Sequence, residues 1–234
     1  MFGEYELNKE IKEDGIEIKI DGRGKVKNYY RKCKNEEVRK VVAAKEGKLF
    51  VVPVEPVNLP KIGIAEHLLI ELEEPYIIEP FISDSFYLKF PVEIGVFLVD
   101  KKDVERIDIF TQTKQKYTLY GSPENGIICR WWKSAIYEDK PEVKKLEEGI
   151  MKVDIKNEYR EWVEIKKLVF RAFDMKIFYN SHAYMHSYVT IHKKTMAETA
   201  FEGRKPKDMK KSIDIYEAKG IKKLEKKFVM EWGL

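Results

Sequence analysis

Cysteine is nearly absent. Cys33 and Cys129 are the only two in 234 residues, too few for a cysteine-based zinc site and without the C-x-x-C spacing of a thioredoxin-like redox motif. They leave room for one disulfide at most. No run approaches the length of about 18 apolar residues that a spanning helix needs, and MFGEYELNKEIKEDG lacks the basic-then-apolar order of a signal peptide. The sequence therefore predicts no transmembrane segment and a cytoplasmic location. G-x-S-x-G, the P-loop and a helix-opening G-x-G-x-x-G are also missing. With the common nucleophile and nucleotide signatures gone, no catalytic residue and no cofactor is assigned.

Amides and arginine are scarce too. Glutamine occurs only at positions 112 and 115, lysine (36) far exceeds arginine (8), and glutamate (29) far exceeds aspartate (11). Hot-adapted proteins show this bias, because ion desolvation costs less at high temperature and labile amides are avoided. The formal charge of +4 is too small to force the whole chain onto nucleic acid or an anionic membrane. It is unevenly spread: residues 1–138 carry 22 basic and 24 acidic groups, residues 139–234 carry 22 and 16. Most of the surplus lies in the last 32 residues, from Arg204 and Lys205 through Lys210-Lys211 and Lys222-Lys223 to Lys226-Lys227. Acidic residues interrupt this stretch, so it reads as a solvated, ion-paired face.

What is present is period-two alternation between turn residues. Ile16-Glu17-Ile18-Lys19-Ile20 puts isoleucine on one face, and Asp21-Gly22-Arg23-Gly24 turns it into Lys25–Cys33, a first hairpin. A second is expected from Val38–Ala44, a turn at 45–48, and Leu49–Val54. A third joins Gln115–Tyr120 to Ile127–Lys133 through Gly121-Ser122-Pro123-Glu124-Asn125-Gly126. If Tyr120 pairs with Ile127, then Tyr117 faces Arg130 and Lys116 faces Trp131, two cation–π pairs. Prolines at 53, 56, 60, 75, 80 and 91 suit strand ends and edges and argue against long helices. The pattern lapses over 139–149 into a charged stretch. This predicts an all-β protein of two β-sandwich-like domains of short antiparallel strands, residues 1–138 and 150–234, joined by a linker at 139–149, with at most one or two short helices. Residues 208–219 read equally as a short capped helix or as a strand over Ser212–Tyr216.

Two regions carry candidate chemistry. The third hairpin gathers Lys114, Lys116, Tyr117, Arg130 and Trp131, with Tyr120, Trp132 and Lys133 beside them. Rings stack on bases or sugars while cations meet phosphates, so the expectation is a soluble binding or interaction module with a basic-aromatic surface around 114–133, its partner an unidentified protein or a second copy. Nucleic acid is the alternative ligand, although no recognised nucleic-acid motif is present. The second region is 181–192. On a strand, His182, Tyr184, His186, Tyr188, Thr190 and His192 share one face. There His182 and His186 stand about 13 Å apart, too far to share a zinc ion with ligands at about 2.1 Å; on a helix they would be an i, i+4 metal pair. A metal-assisted enzyme using His182, His186 and His192 is thus a second alternative. Glu71, Glu73, Glu74 and Glu79 offer carboxylates, but nothing in their spacing separates an acid from a base.

Taken whole, the chain resembles an uncharacterised archaeal protein family of about this length. The likeness rests on residues 54–58 (VEPVN), 87–97 (YLKFPVEIGVF), 108–110 (DIF), 114–121 (KQKYTLYG) and 129–134 (CRWWKS). It implies an archaeal source and supplies no activity, cofactor or partner.

Overall fold

The computed structural model describes residues 1–22, 24–44, 46–61, 63–101, 103–218 and 227–234. The first strands are β1 (Gly3–Glu6), β2 (Glu10–Glu13), β3 (Ile16–Asp21), β4 (Val26–Cys33), β5 (Glu36–Ala43) and β6 (Lys48–Val54). The middle of the chain adds β7 (His67–Ile78), β8 (Ser83–Pro91), β9 (Glu93–Asp100), β10 (Asp103–Phe110), β11 (Tyr117–Tyr120) and β12 (Ile127–Ser134). The rest supplies β13 (Glu148–Asn157), β14 (Val163–Arg171), β15 (Phe178–Tyr179), β16 (Ala183–Lys193), β17 (Met196–Phe201), β18 (Lys210–Lys211) and β19 (Phe228–Met230). Helix among the described residues is limited to a 3₁₀ turn at Ala172–Asp174 and α1 (Ile215–Ala218). The protein is all-β; within the expected 208–219 segment only Ile215–Ala218 is helical, after the two-residue β18, and Ser212–Tyr216 is not a strand.

Among the described residues four sheets form: β1-β6-β9-β10, β11-β12-β7-β14, the meander β2-β3-β4-β5, and a seven-stranded sheet in the order β18-β15-β16-β13-β8 with β17 on β16 and β19 on β17. Most pairs are antiparallel, but β12–β7 and β13–β16 are parallel. The first and third expected hairpins are present, with Ile16 opposite Cys33 and Tyr120 opposite Ile127. The second is not. The chain does turn before β6, yet β5 pairs back onto β4 and β6 inserts between β1 and β9. A turn signal says only that the chain reverses, and the strongly apolar β6 and β9 bury more by lying against each other than β6 would against the charged β5.

The expected boundary at 139–149 does not part the sheets. Strand β8 from before it pairs with β13 from after it, and β7 pairs with β14. One buried apolar cluster runs from Ile11 and Ile18 through Leu68, Leu69 and Ile70 to Met185 and Met230. The charged stretch is a surface crossing between strands that share a core. Hydrogen bonds also tie sheet to sheet: the Lys89 amide donates to Ser134 Oγ (2.9 Å) and Thr199 Oγ1 donates to the Val169 carbonyl (2.9 Å). Gly149 lets β13 approach closely. A Cβ there would stand 2.3 Å from the Phe90 ring, which lies across the glycine as its register partner. Cys33 and Cys129 are both buried and free.

Candidate functional site

Strand β16 alternates as its sequence predicts. Ala183, Met185, Ser187, Val189 and Ile191 are buried, while Tyr184, His186, Tyr188, Thr190 and His192 stand half-exposed on the other face. Parallel pairing then sets Lys152 beside His186 and Asp154 beside Tyr188, and antiparallel pairing sets Ser85 beside Asp154. Three strands distant in sequence thereby place polar side chains in one row. His186 Nε2 lies 2.7 Å from Asp154 Oδ2, Ser85 Oγ donates to Asp154 Oδ1 (2.7 Å), and Lys152 Nζ is 3.0 Å from the same oxygen. Partial burial alone would raise the Asp154 carboxyl, but hydrogen bonds from Ser85, Lys152 and His186 outweigh it and hold the group below its ordinary range.

Rings flank the row. The His186 and Tyr188 rings are 4.9 Å apart at 38°. The Tyr188 hydroxyl donates to Glu202 Oε2 at 2.8 Å, and this bond, with burial and the Glu202 charge, pushes the phenol up to about 12. Beside the row lies an open depression of about 360 Å³, lined by Ser83, Asp84, Ser85, Asp154, Lys156, Tyr188 and Thr190 among others. Asp154 stands between the serine and the imidazole. The Ser85 hydroxyl therefore hydrogen-bonds the carboxylate and not the imidazole, unlike a serine–histidine nucleophile–base pair; the row is a line of hydrogen-bonding groups.

The three histidines do not converge. His192 faces Glu158 and Glu198 at 3.6 and 3.7 Å, and His182 Nδ1 lies 3.2 Å from Ser181 Oγ. Among the described residues no group of three His, Cys, Asp or Glu side chains is placed to hold a metal ion.

The third hairpin has the expected register, with both cation–ring pairs: Lys116 Nζ is 4.7 Å from the Trp131 ring centre and the Arg130 guanidinium 5.9 Å from that of Tyr117. Exposure is divided differently from the expectation. Lys114, Lys116 and Lys133 face solvent, Tyr117 and Trp131 are half-buried, and Arg130 has 0% exposure. The Arg130 guanidinium donates inward to Thr113 Oγ1 (3.3 Å) and to the carbonyls of Lys114 (3.3 Å) and Lys116 (3.4 Å), which fixes the approach to the hairpin. Trp131 Nε1 donates to Glu71 Oε2 (2.9 Å), and the Tyr117 hydroxyl donates to the Leu59 carbonyl. This region is braced by its own cations. In the cationic tail, Lys222, Lys223 and Lys226 lie outside the described residues, and Lys227 pairs with Glu198 at 2.9 Å.

Two buried charge centres escaped the sequence reading. Asp108 accepts from Tyr29 Oη (3.0 Å), Arg31 Nε (2.7 Å) and Lys40 Nζ (2.9 Å), joining the meander to β10. Glu93 lies 1% exposed at the start of β9, where Oε2 accepts the Asn58 amide (2.9 Å) and Oε1 has no hydrogen-bond partner among the described residues. Burial pushes Glu93 up to about 7, against the opposing pull of the Asn58 hydrogen bond and the Arg130 charge. Burial likewise lowers Arg130, against the pull of Glu93. The available signal was a single charge inside an apolar run: Glu93 within Phe90–Val99, and Asp108 between Ile107 and Ile109.

The chain belongs to the family described as protein of unknown function (DUF432), whose model matches residues 1–231. No curated protein and no solved structure matches it.

Proposed function

We propose that the protein is a binding module whose ligand surface is the half-exposed face of β8, β13 and β16, and that the ligand is a hydroxyl-rich ring compound of the saccharide class. The observation that carries this reading is the hydrogen-bonded row Ser85–Asp154–His186 beside the Tyr188 ring and the open depression of about 360 Å³. Aromatic faces cover the apolar C–H side of a sugar ring, while a carboxylate, an imidazole and hydroxyls meet its O–H groups. The order of the row, with aspartate between serine and imidazole, favours binding over catalysis. A surface centred on residues 114–133 has less support, because Arg130 is directed inward and a phosphate there would meet only Lys114, Lys116 and Lys133.

An archaeal, hot-adapted source and a cytoplasmic site of action remain part of the proposal. The Lys/Glu excess supports the first, together with ion pairs such as Lys156–Glu158 and Lys227–Glu198. No helix of the described residues is long and apolar enough to cross a membrane.

The test is retention on a panel of immobilised neutral oligosaccharides, followed by Tyr188→Ala. At least one saccharide is expected to be retained by the wild type and released by the variant. Failure of every saccharide to bind, or retention indifferent to Tyr188, overturns the reading.

A further inference from the structure

Large apolar side chains stand out of the molecule at one end. Ile77 is 61% exposed, Phe81 69%, Ile82 46% and Trp162 58%. The end is built, not frayed. Asn157, with 0% exposure, donates its side-chain amide to the carbonyls of Glu79 (3.1 Å) and Glu161 (3.0 Å), accepts the Tyr159 amide on Oδ1 (2.9 Å), and gives its own backbone N–H to the Ile82 carbonyl (2.9 Å). One buried side chain thus fixes both loops that carry the aromatics. Phe81 is held at φ +61°, a left-handed conformation that costs a bulky residue energy and persists only where the surroundings impose it. On the adjoining sheet edge Ile77 lies opposite Glu164, so Trp162, two residues earlier in the chain, falls on the same outer side.

The rim decides what fits this patch. Its charges are balanced, four of each sign, and all but Glu79 fall in pairs: Lys156 with Glu158 at 2.8 Å, Lys194 and Arg160 with Glu161 at 2.5 and 4.0 Å, and Lys166 with Glu164, the register partner of Ile77, at 3.4 Å. A balanced rim draws in neither a strongly basic nor a strongly acidic partner. It is compatible with a copy of itself, since an isologous contact brings a surface against the same surface. With about 150–250 Å² for each aromatic side chain and less for each isoleucine, exposures of 46–69% leave roughly 500 Å² of these four residues open to solvent per copy. The rim brings that close to the roughly 800 Å² per partner of a standard interface, with the apolar centre and polar margin of a homodimer.

We infer that the Ile77–Phe81–Ile82–Trp162 end is the self-association surface of the protein, occupied by the same end of a second copy. This does not rest on the ligand reading, although the two surfaces adjoin: Lys156 belongs to the rim and also lines the depression, as does Ser83 next to Ile82.

Sedimentation velocity and light scattering over roughly 1–100 µM protein test it. The wild type is expected to reach twice the 27.7 kDa chain mass within that range. Phe81→Glu and Trp162→Glu, both at exposed positions, are each expected to weaken the dimer at least tenfold while the circular dichroism spectrum stays unchanged. Val41→Glu, at a 73% exposed position on β5, leaves it intact. A wild type that stays monomeric throughout, or a dimer that survives both substitutions, overturns the inference.

Discussion

The hairpin around Arg130 and the sheet face around His186 are both rich in aromatic and ionisable groups, and the fold uses them oppositely. At the hairpin two of the cations turn to their own strands while Lys114 and Lys133 face solvent: Arg130 serves Thr113 and the carbonyls of Lys114 and Lys116, and Lys116 covers Trp131. On the sheet face the same kinds of side chain line up beside an open depression. The difference follows from alternation and depth. Arg130 sits in β12 between β11 and β7, on a side where its cross-strand neighbour Leu68 is buried. His186 sits on the side of β16 that carries no apolar cover. Aromatic-cationic composition therefore marks a site only when the pleat turns it outward.

That contrast breaks most visibly at Arg130. Removing a buried guanidinium takes the donor from the Lys114 carbonyl and removes the Arg130 charge that opposes the burial of Glu93, so Arg130→Ala should cost about 3–5 kcal/mol in denaturant unfolding, with no selective effect on saccharide retention by the folded fraction. An unchanged unfolding midpoint would mean that the hairpin does not depend on its internal cation.

Glu93 sharpens the same comparison through pH. The folded protein keeps this proton up to about pH 7, whereas the unfolded glutamate releases it near its ordinary 4.5. Folding thus takes up a proton between those values, and this group's contribution to stability falls as pH rises through the window, by roughly 3 kcal/mol in all. In Glu93→Gln that component should vanish, giving a flatter stability profile between about pH 5 and 8 than the wild type. Parallel profiles would contradict the assignment. At the other extreme, Lys116→Ala removes one exposed cation–ring contact and should cost about 0.5–1 kcal/mol, measurable as a small shift of the same unfolding curve.

How much of this was legible in the sequence depended on distance along the chain. The register of the third hairpin could be read, because its loop and both strands lie within twenty positions and Tyr120–Ile127 fixes the other pairs, although β11 begins at Tyr117 and not at Gln115. The outward face of β16 was legible from period two alone. The His186–Asp154–Ser85 row was not, since it needs β13 to lie parallel to β16 and antiparallel to β8, pairings that no local turn announces. Nor was the loss of the 139–149 boundary. A charged, pattern-free segment looks the same whether it links two domains or crosses the outside of one core. Arg130 shows the limit most sharply. Alternation says that Arg130 and Trp131 point to opposite sides, but only the tertiary structure says which side is interior.

The most direct measurement is calorimetric titration of the retained saccharide against the wild type, Asp154→Ala and Lys116→Ala. Removing Asp154 is expected to weaken binding at least about tenfold, the size expected for hydrogen bonds to a charged group, and removing Lys116 to leave affinity unchanged. Loss of affinity in Lys116→Ala with Asp154→Ala unaffected would move the site back to the hairpin and contradict the sheet-face reading.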